Sequence, residues 1–421
     1  MNNETQINAD RNADKRRLNI LILVSCFLLL LTSCTKKTVL KLMVWGTQEE
    51  VKTARYYLKT FYKYNPEIKV EIISTNPFEF HGKLLELENK NGYPDVFYIS
   101  REWFEFFVST GILCDLTDFI KQDKEFGFDD FYDNVKKSFA ISGRYYAIPK
   151  DFTPLILYYN QNIFDDCKVK YPTENWNWAE FLETAKKTTS NDHYGFVFEF
   201  WLGQYAPWLW NASGDFFDRK GNWNLYSKEN IKALDFLQDM VYKYKTSPSP
   251  KVLQKKSATQ LFIEGRAATF SSGRWSCLDF KNIKSFKWNV CSLPKYKNKT
   301  TVLLAVGYGI NQKSKHKEDA WKLVRFLTGA GGEILVAQQG QAIPARRSIA
   351  QSPYFINSLP GIDNYVFLKA IENGKFTPTS ANWPEIIKIM DKHLNSIFTE
   401  QIPPQKALST LHSELEKHEK N

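Results

Sequence analysis

Two rhythms alternate along this chain. Val39 to Trp45, VLKLMVW, is a nearly continuous apolar run, the pattern of a strand buried on both faces. It stops at Gly46, after which Val51, Ala54, Leu58 and Phe61 recur on one face of a helix predicted over Gln48 to Tyr64. Asn65-Pro66 ends that helix, because the residue before proline avoids the α region. Ile68 to Ile73 is the second predicted strand, Phe78 to Lys90 the second helix, and Asp95 to Ile99 the third strand. Strand and helix in alternation with short connections predict a parallel α/β sheet.

Gly143 to Asn160, GRYYAIPKDFTPLILYYN, breaks the rhythm with Pro149 and Pro154. Its residues allow two readings: a crossing between two lobes, hinged at Ile148, Pro149 and Lys150, or a proline-kinked edge strand within one body. Beyond it the pattern predicts a helix opening near Trp176-Asn177-Trp178, a strand over Tyr194 to Phe200, a helix over Ile231 to Tyr244 and a strand leading to Phe270. Val302 to Ile310 is read as a strand returning to the first lobe, Asp319 to Leu327 as a helix closed by Gly329-Ala330-Gly331-Gly332, and the segment from Pro404 as an amphipathic helix. At 421 residues, the chain exceeds one ordinary core and suggests two bodies.

The N-terminus carries an address. Arg11, Lys15, Arg16 and Arg17 precede the apolar run Leu18 to Leu31, which has signal-peptide length and falls short of the ~20 residues that span a bilayer. The run leads into Leu31-Thr32-Ser33-Cys34, which resembles the lipobox of bacterial lipoproteins. That resemblance implies a signal peptide over 1–33, lipidation of Cys34, a tether over 34–38, and a body held at the lipid bilayer on the periplasmic or outer face of the cell membrane. The alternative is an ordinary secretory signal with an incidental Cys34.

Composition narrows the chemistry. The net charge of +10 comes from basic residues scattered among acidic ones, which does not point to nucleic acid. The chain has no P-loop, HExxH, GxSxG or CxxC, so no catalytic residues, metal ligands or cofactor are expected. Cys277 and Cys291 are either a disulfide or buried free thiols, and the sequence leaves both open. The 12 Trp, 21 Tyr and 31 Phe exceed what a core needs, and a lined groove is one use for them.

Ligands of open α/β sheets bind beyond the carboxyl ends of the strands. That rule selects Trp45, Gly46, Thr47 and Gln48 at the exit of the first strand and Ser100, Arg101, Glu102 and Trp103 at the exit of the third. The competing reading makes Trp45 a core cap and Arg101 a surface ion pair.

The series WGTQEE, FYKYNPEIKVEI, YPDVFYIS, GILCDLTDFI, GRYYAIPKDFTPLILYYNQNIF, NWNWAEFLETAKKTT, LFIEGRAATFSSGRWS, VGYGINQKSKHKEDAWKLVRFLTG and QAIPARRS resembles, in order, a family 1 extracellular solute-binding protein. This is the sugar-binding component of an ABC importer. The resemblance implies a periplasmic-binding-protein type II fold: two α/β lobes, 39–148 with 302–349 and 149–301 with 350–421, around a cleft. It also implies a monomer that captures a carbohydrate by hinge closure and hands it to permease subunits. Among the aromatics Trp201, Tyr205, Trp208 and Trp210 it favours Trp208 as a sugar platform, and it adds Gly273, Trp275, Tyr308, Arg346 (with Arg347 in reserve) and Trp383 as contacts. Two other readings stay open: a binder of a glycerol phosphodiester held by Arg101, Arg346 and Arg347, and a surface adhesion lipoprotein.

Overall fold

The computed structural model describes residues 37–77 and 79–420. The expected signal peptide and lipidated Cys34 lie outside the described residues. The first lobe begins β1 (Thr38–Trp45), α1 (Gln48–Tyr64), β2 (Ile68–Thr75), α2 (Phe80–Asn89), β3 (Val96–Ser100) and α3 (Arg101–Ser109). A capping box starts α1: the Thr47 hydroxyl accepts from the Glu50 amide at 3.3 Å, and the Glu50 carboxylate accepts from the Thr47 amide at 2.6 Å. Strand β1 runs parallel to β2, from Thr38 opposite Ile68 to Trp45 opposite Thr75, and parallel to β3.

The chain then makes β4 (Ile148–Pro154), β5 (Ile156–Asn160), α4 (Trp178–Lys187), β6 (Tyr194–Val197), α5 (Leu202–Asn211), α6 (Lys228–Tyr242), β7 (Ala267–Ser272) and β8 (Trp288–Cys291). It continues through β9 (Thr301–Ile310), α7 (Lys317–Leu327), α8 (Ala330–Gln339), β10 (Ile343–Pro344), α9 (Tyr365–Glu372), β11 (Gly374–Lys375), α10 (Trp383–Thr399) and α11 (Pro404–Lys420). One sheet has the order β10-β4-β9-β3-β1-β2 with β11 beside β9, a second has the order β8-β5-β7-β6, and a two-stranded ribbon pairs Ala140 and Ile141 with Tyr145 and Arg144. Strand β9 returns antiparallel between β3 and β4. The result is the two-lobed type II arrangement that the motif order implied.

Alternation along β1 explains how the first sheet is covered. Leu40, Leu42 and Val44 face a cluster with Leu58, Phe61 and Trp321, while Met43 faces Phe80 and Phe97 on the other side. Each large side chain so buried contributes about 1.5–3 kcal/mol. In the second lobe, Ile386, Met390, Leu394, Phe398, Leu408 and Leu411 of the two last helices pack with Leu234 and Leu237 of α6.

Three expectations change, and the state of the cysteines, which the sequence leaves open, is seen. Ile148, Pro149 and Lys150 are not the point of crossing; they lie in β4 of the first sheet, and the chain changes sheet at Leu155. The prolines do not prevent that ladder, because Pro149 sits opposite Gly307 where the register shifts and β10 pairs with β4 only at Asp151 and Phe152. The first sheet accordingly gains 149–154, expected in the second lobe; α9 packs against β4 and β11 pairs with β9 before α10 joins the other core. The glycines after α7 do not merely end it: Thr328 is its last cap, Gly329 caps the start of α8, and Gly331 and Gly332 lie in the first turn of α8. Cys277 and Cys291 are free, as are Cys114 and Cys167; they belong to separate clusters.

Candidate functional site

The exits of β1 and β3 gather an aromatic wall in the first lobe. Trp45 meets Phe80 edge-on at 4.8 Å and Tyr98 at 5.0 Å, and Tyr98 meets Tyr308 at 5.1 Å. His81 stacks on Trp103 at 4.6 Å and 9°, and its Nε2 lies 3.3 Å from the Ser100 hydroxyl. Burial pushes the imidazole of His81 down to about 3, so it is neutral near pH 7. Gly46 holds φ +151°, and a Cβ there would lie 3.0 Å from the Glu50 carboxylate. Glycine lets the chain turn from strand to helix beneath Trp45.

The second lobe presents two tryptophans built alike. Trp201 caps the start of α5 with its ring folded over Gly203, where a Cβ would lie 1.8 Å from the ring. Trp275 sits in the turn after β7 with its ring folded over Gly273, where a Cβ would lie 2.0 Å away. Both rings are half-buried and rest on the same core cluster. Gln204 joins their supports, donating from Nε2 to the Ser271 carbonyl at 2.9 Å. Trp201 also donates to Glu199 at 3.3 Å. Burial raises the Glu199 carboxyl above its ordinary value, against the opposing pull of the Trp201 bond. Burial likewise raises Glu102 at the start of α3.

The remaining predicted residues separate into neighbours of these walls and residues elsewhere. Thr47 serves as a helix cap. Arg101 donates to Thr379 and pairs with Glu105 at 3.2 Å. Tyr308 is 5% exposed, behind Tyr98. Trp208 does not face a cleft: it is 2% exposed, among Trp178, Phe181, Phe196 and Phe236. Trp383, also 2% exposed, is enclosed in the same core. Neither ring offers a face to a ligand as the chain is folded here. Arg346 is a staple: its guanidinium donates to the carbonyls of Thr328 (2.7 Å), Gly127 (3.0 Å) and Phe126 (2.7 Å) and lies 4.4 Å from the Phe131 ring centre. Arg347 donates to the Asp129 carbonyl at 2.8 Å.

The sequence reading places Trp103 at the exit of β3 and passes over Trp201 in favour of Trp208; it does not select Tyr98 or His81. The signal for Trp201 was Gly203 two residues on, a small residue that leaves room for a ring lying back over the backbone. Among the described residues, no group of three or more His, Cys, Asp or Glu is arranged to hold a metal ion. No helix among them is long and apolar enough to cross a membrane.

The chain is similar to known proteins in both fold and sequence. An ABC substrate-binding protein of Listeria monocytogenes in complex with cycloalternan superposes with a TM-score of 0.86 at 25% identity, covering 91% of this chain and 99% of that one. A maltose-bound T. maritima protein, MalE3, superposes with a TM-score of 0.79 at 23% identity, covering 90% and 99%. The galactooligosaccharide-binding protein of Bacillus subtilis is 23% identical over 386 residues, 87% of each chain. The profile described as bacterial extracellular solute-binding protein matches residues 45–334, and this chain belongs to that family.

Proposed function

We propose that this protein is the lipid-anchored receptor of an ABC importer, capturing an oligosaccharide between its lobes and delivering it to the permease. The observation that carries the ligand class is the pair Trp201 and Trp275, each half-exposed and held flat on a glycine. A pyranose offers an apolar C–H face and a rim of hydroxyls, so its receptor needs fixed aromatic faces with polar groups at their edges. Glu199 and Glu102 supply acceptors beside these walls, and the wall of Trp45, Tyr98 and Trp103 supplies the opposing aromatic surface. Relatives named for galactooligosaccharide, arabinooligosaccharide and maltodextrin binding support the same class.

The arginines weigh against a phosphodiester. Arg346 spends its guanidinium on three backbone carbonyls, and both terminal nitrogens of Arg101 are bound to Glu105 and Thr379, so neither is left to form a phosphate fork; Arg347 is exposed and spends one N–H on the Asp129 carbonyl. Closure follows the usual logic of a hinged receptor: a ligand touching both lobes favours the closed state by its contacts in that state. Cys34 anchors the body to the membrane, and the receptor works as a monomer. Thermal unfolding against a panel of oligosaccharides and glycerol phosphodiesters tests the ligand class. A carbohydrate at a hundred times its Kd adds about 2.7 kcal/mol, a shift of a few degrees. Stabilisation by the phosphodiesters alone would overturn it.

A further inference from the structure

Trp275 is tied to both sides of the point where the chain changes sheet. Thr153 belongs to the first sheet, opposite Leu304, and Tyr158 belongs to the second, opposite Phe270; Leu155 lies between them. The Tyr158 hydroxyl donates to the Gly273 carbonyl at 2.7 Å, and the Arg274 amide donates to the Thr153 hydroxyl at 2.9 Å. One short peptide segment beside Trp275 is thus gripped by a residue from each lobe's sheet. Within the turn, the Ser272 and Ser276 hydroxyls are bonded at 2.7 Å.

The side chain of Arg274 adds a third fixture. It is 0% exposed. Its guanidinium carbon lies 4.3 Å from the Phe355 ring centre and 4.5 Å from that of Phe367, and Nη2 donates to Ser358 at 2.8 Å. Nε and Nη1 have no partner. A guanidinium stacked between two rings without a carboxylate is held by shape and cation–π attraction. It fixes the Trp275 turn against the segment that carries Phe355 to Phe367.

We propose that Thr153, with Arg274, is a positioning residue that couples the angle between the lobes to the placement of Trp275. Rotation of β4 against β5 about Leu155 changes the separation of the Thr153 hydroxyl and the Arg274 amide, and the amide carries the turn with it. The purpose of the coupling rests on the proposed carbohydrate function; its existence does not, and it is tested without any ligand.

The test is fluorine NMR of the full chain labelled with fluorotryptophan, with the Trp275 resonance assigned by its loss in W275F. Thr153→Val should move the Trp275 resonance by more than its line width, while Thr153→Ser, which keeps the hydroxyl, leaves it in place. Tyr158→Phe, which cuts the other grip, should move it too. Should the valine variant fail to fold, Thr153→Ala carries the same comparison. A Trp275 resonance unmoved in the folded variant, or moved equally by the serine variant, would overturn the coupling. A shifted resonance in a chain that binds no carbohydrate would uphold the coupling and refute the ligand class.

Discussion

The Thr379 hydroxyl donates to Oε1 of Glu105 at 2.8 Å, joining the helix that leaves β3 to the segment that enters α10. Arg101 completes the triangle, donating to Thr379 and pairing with the same carboxylate oxygen. The first of these helices belongs to the first lobe, and the second is buried in the core of the other. This triangle ties α3 to the segment through which the chain passes from β11 to α10, and it is expected to act as a latch between the lobes. Thr379→Val keeps the shape and removes the hydroxyl, which for a hydrogen bond contributing about 0.5–1.5 kcal/mol predicts a two- to tenfold loss of ligand affinity. Small-angle scattering should show a larger radius of gyration, and Thr379→Ser should restore both. Unchanged affinity and radius in the valine variant would refute the latch.

The two kinds of tryptophan predict opposite phenotypes. Trp208→Ala empties a buried site and should cost about 3–5 kcal/mol of stability, read as a fall in Tm. Trp201→Ala and Trp275→Ala should leave Tm nearly unchanged and weaken carbohydrate binding at least tenfold. Gly203→Ala and Gly273→Ala should mimic the latter pair, since the added Cβ would occupy the space of the ring. Calorimetric titration and thermal unfolding on the same five variants separate the two classes.

His81 predicts a pH dependence. Burial depresses its folded value from 6.5 to about 3, so the unfolded chain takes up a proton first as the pH falls. The stability conferred by the neutral ring is complete above 6.5 and is lost between 6.5 and about 3, with a slope of at most about 1.4 kcal/mol per pH unit. Denaturant unfolding of wild type and His81→Phe across that range should show a stability difference that moves in favour of phenylalanine as the solution is acidified. A difference that stays constant would place the His81 proton elsewhere.

Arg346 predicts a fold defect and no change of ligand. Its three carbonyl contacts lose their donor in Arg346→Met, and buried carbonyls left without a donor cost about 1–3 kcal/mol each at most. Denaturation midpoints should fall while affinity at the native temperature holds. A selective loss of affinity would return Arg346 to the binding site.

Local signals in the sequence were legible where they act through neighbours in the chain. The apolar run to Trp45 and the Asn65-Pro66 stop specify structure within a few residues; Thr47, expected as a ligand contact, proved to form a capping box with Glu50. The place where the chain changes sheet was not legible, because Pro149 is accommodated by a register shift opposite Gly307, a residue far along the chain. Periodicity could not separate Trp201 from Trp208, since every residue of Leu202–Asn211 is buried. Arg346 is expected as a ligand contact because QAIPARRS resembles a family region; an arginine suits both anions and carbonyls, and which it meets here depends on a loop at Phe126 and Gly127 that only the fold brings to it.

Calorimetric titration of the protein with maltotriose, galactooligosaccharide, arabinooligosaccharide, cycloalternan and glycerophosphocholine, repeated with Trp201→Ala and Trp275→Ala, tests the central claim most directly. The account predicts that at least one carbohydrate binds near micromolar Kd or tighter, roughly 8 kcal/mol, with little response to salt and with at least a tenfold loss in each variant. Binding of glycerophosphocholine alone, or carbohydrate binding indifferent to both tryptophans, would contradict it.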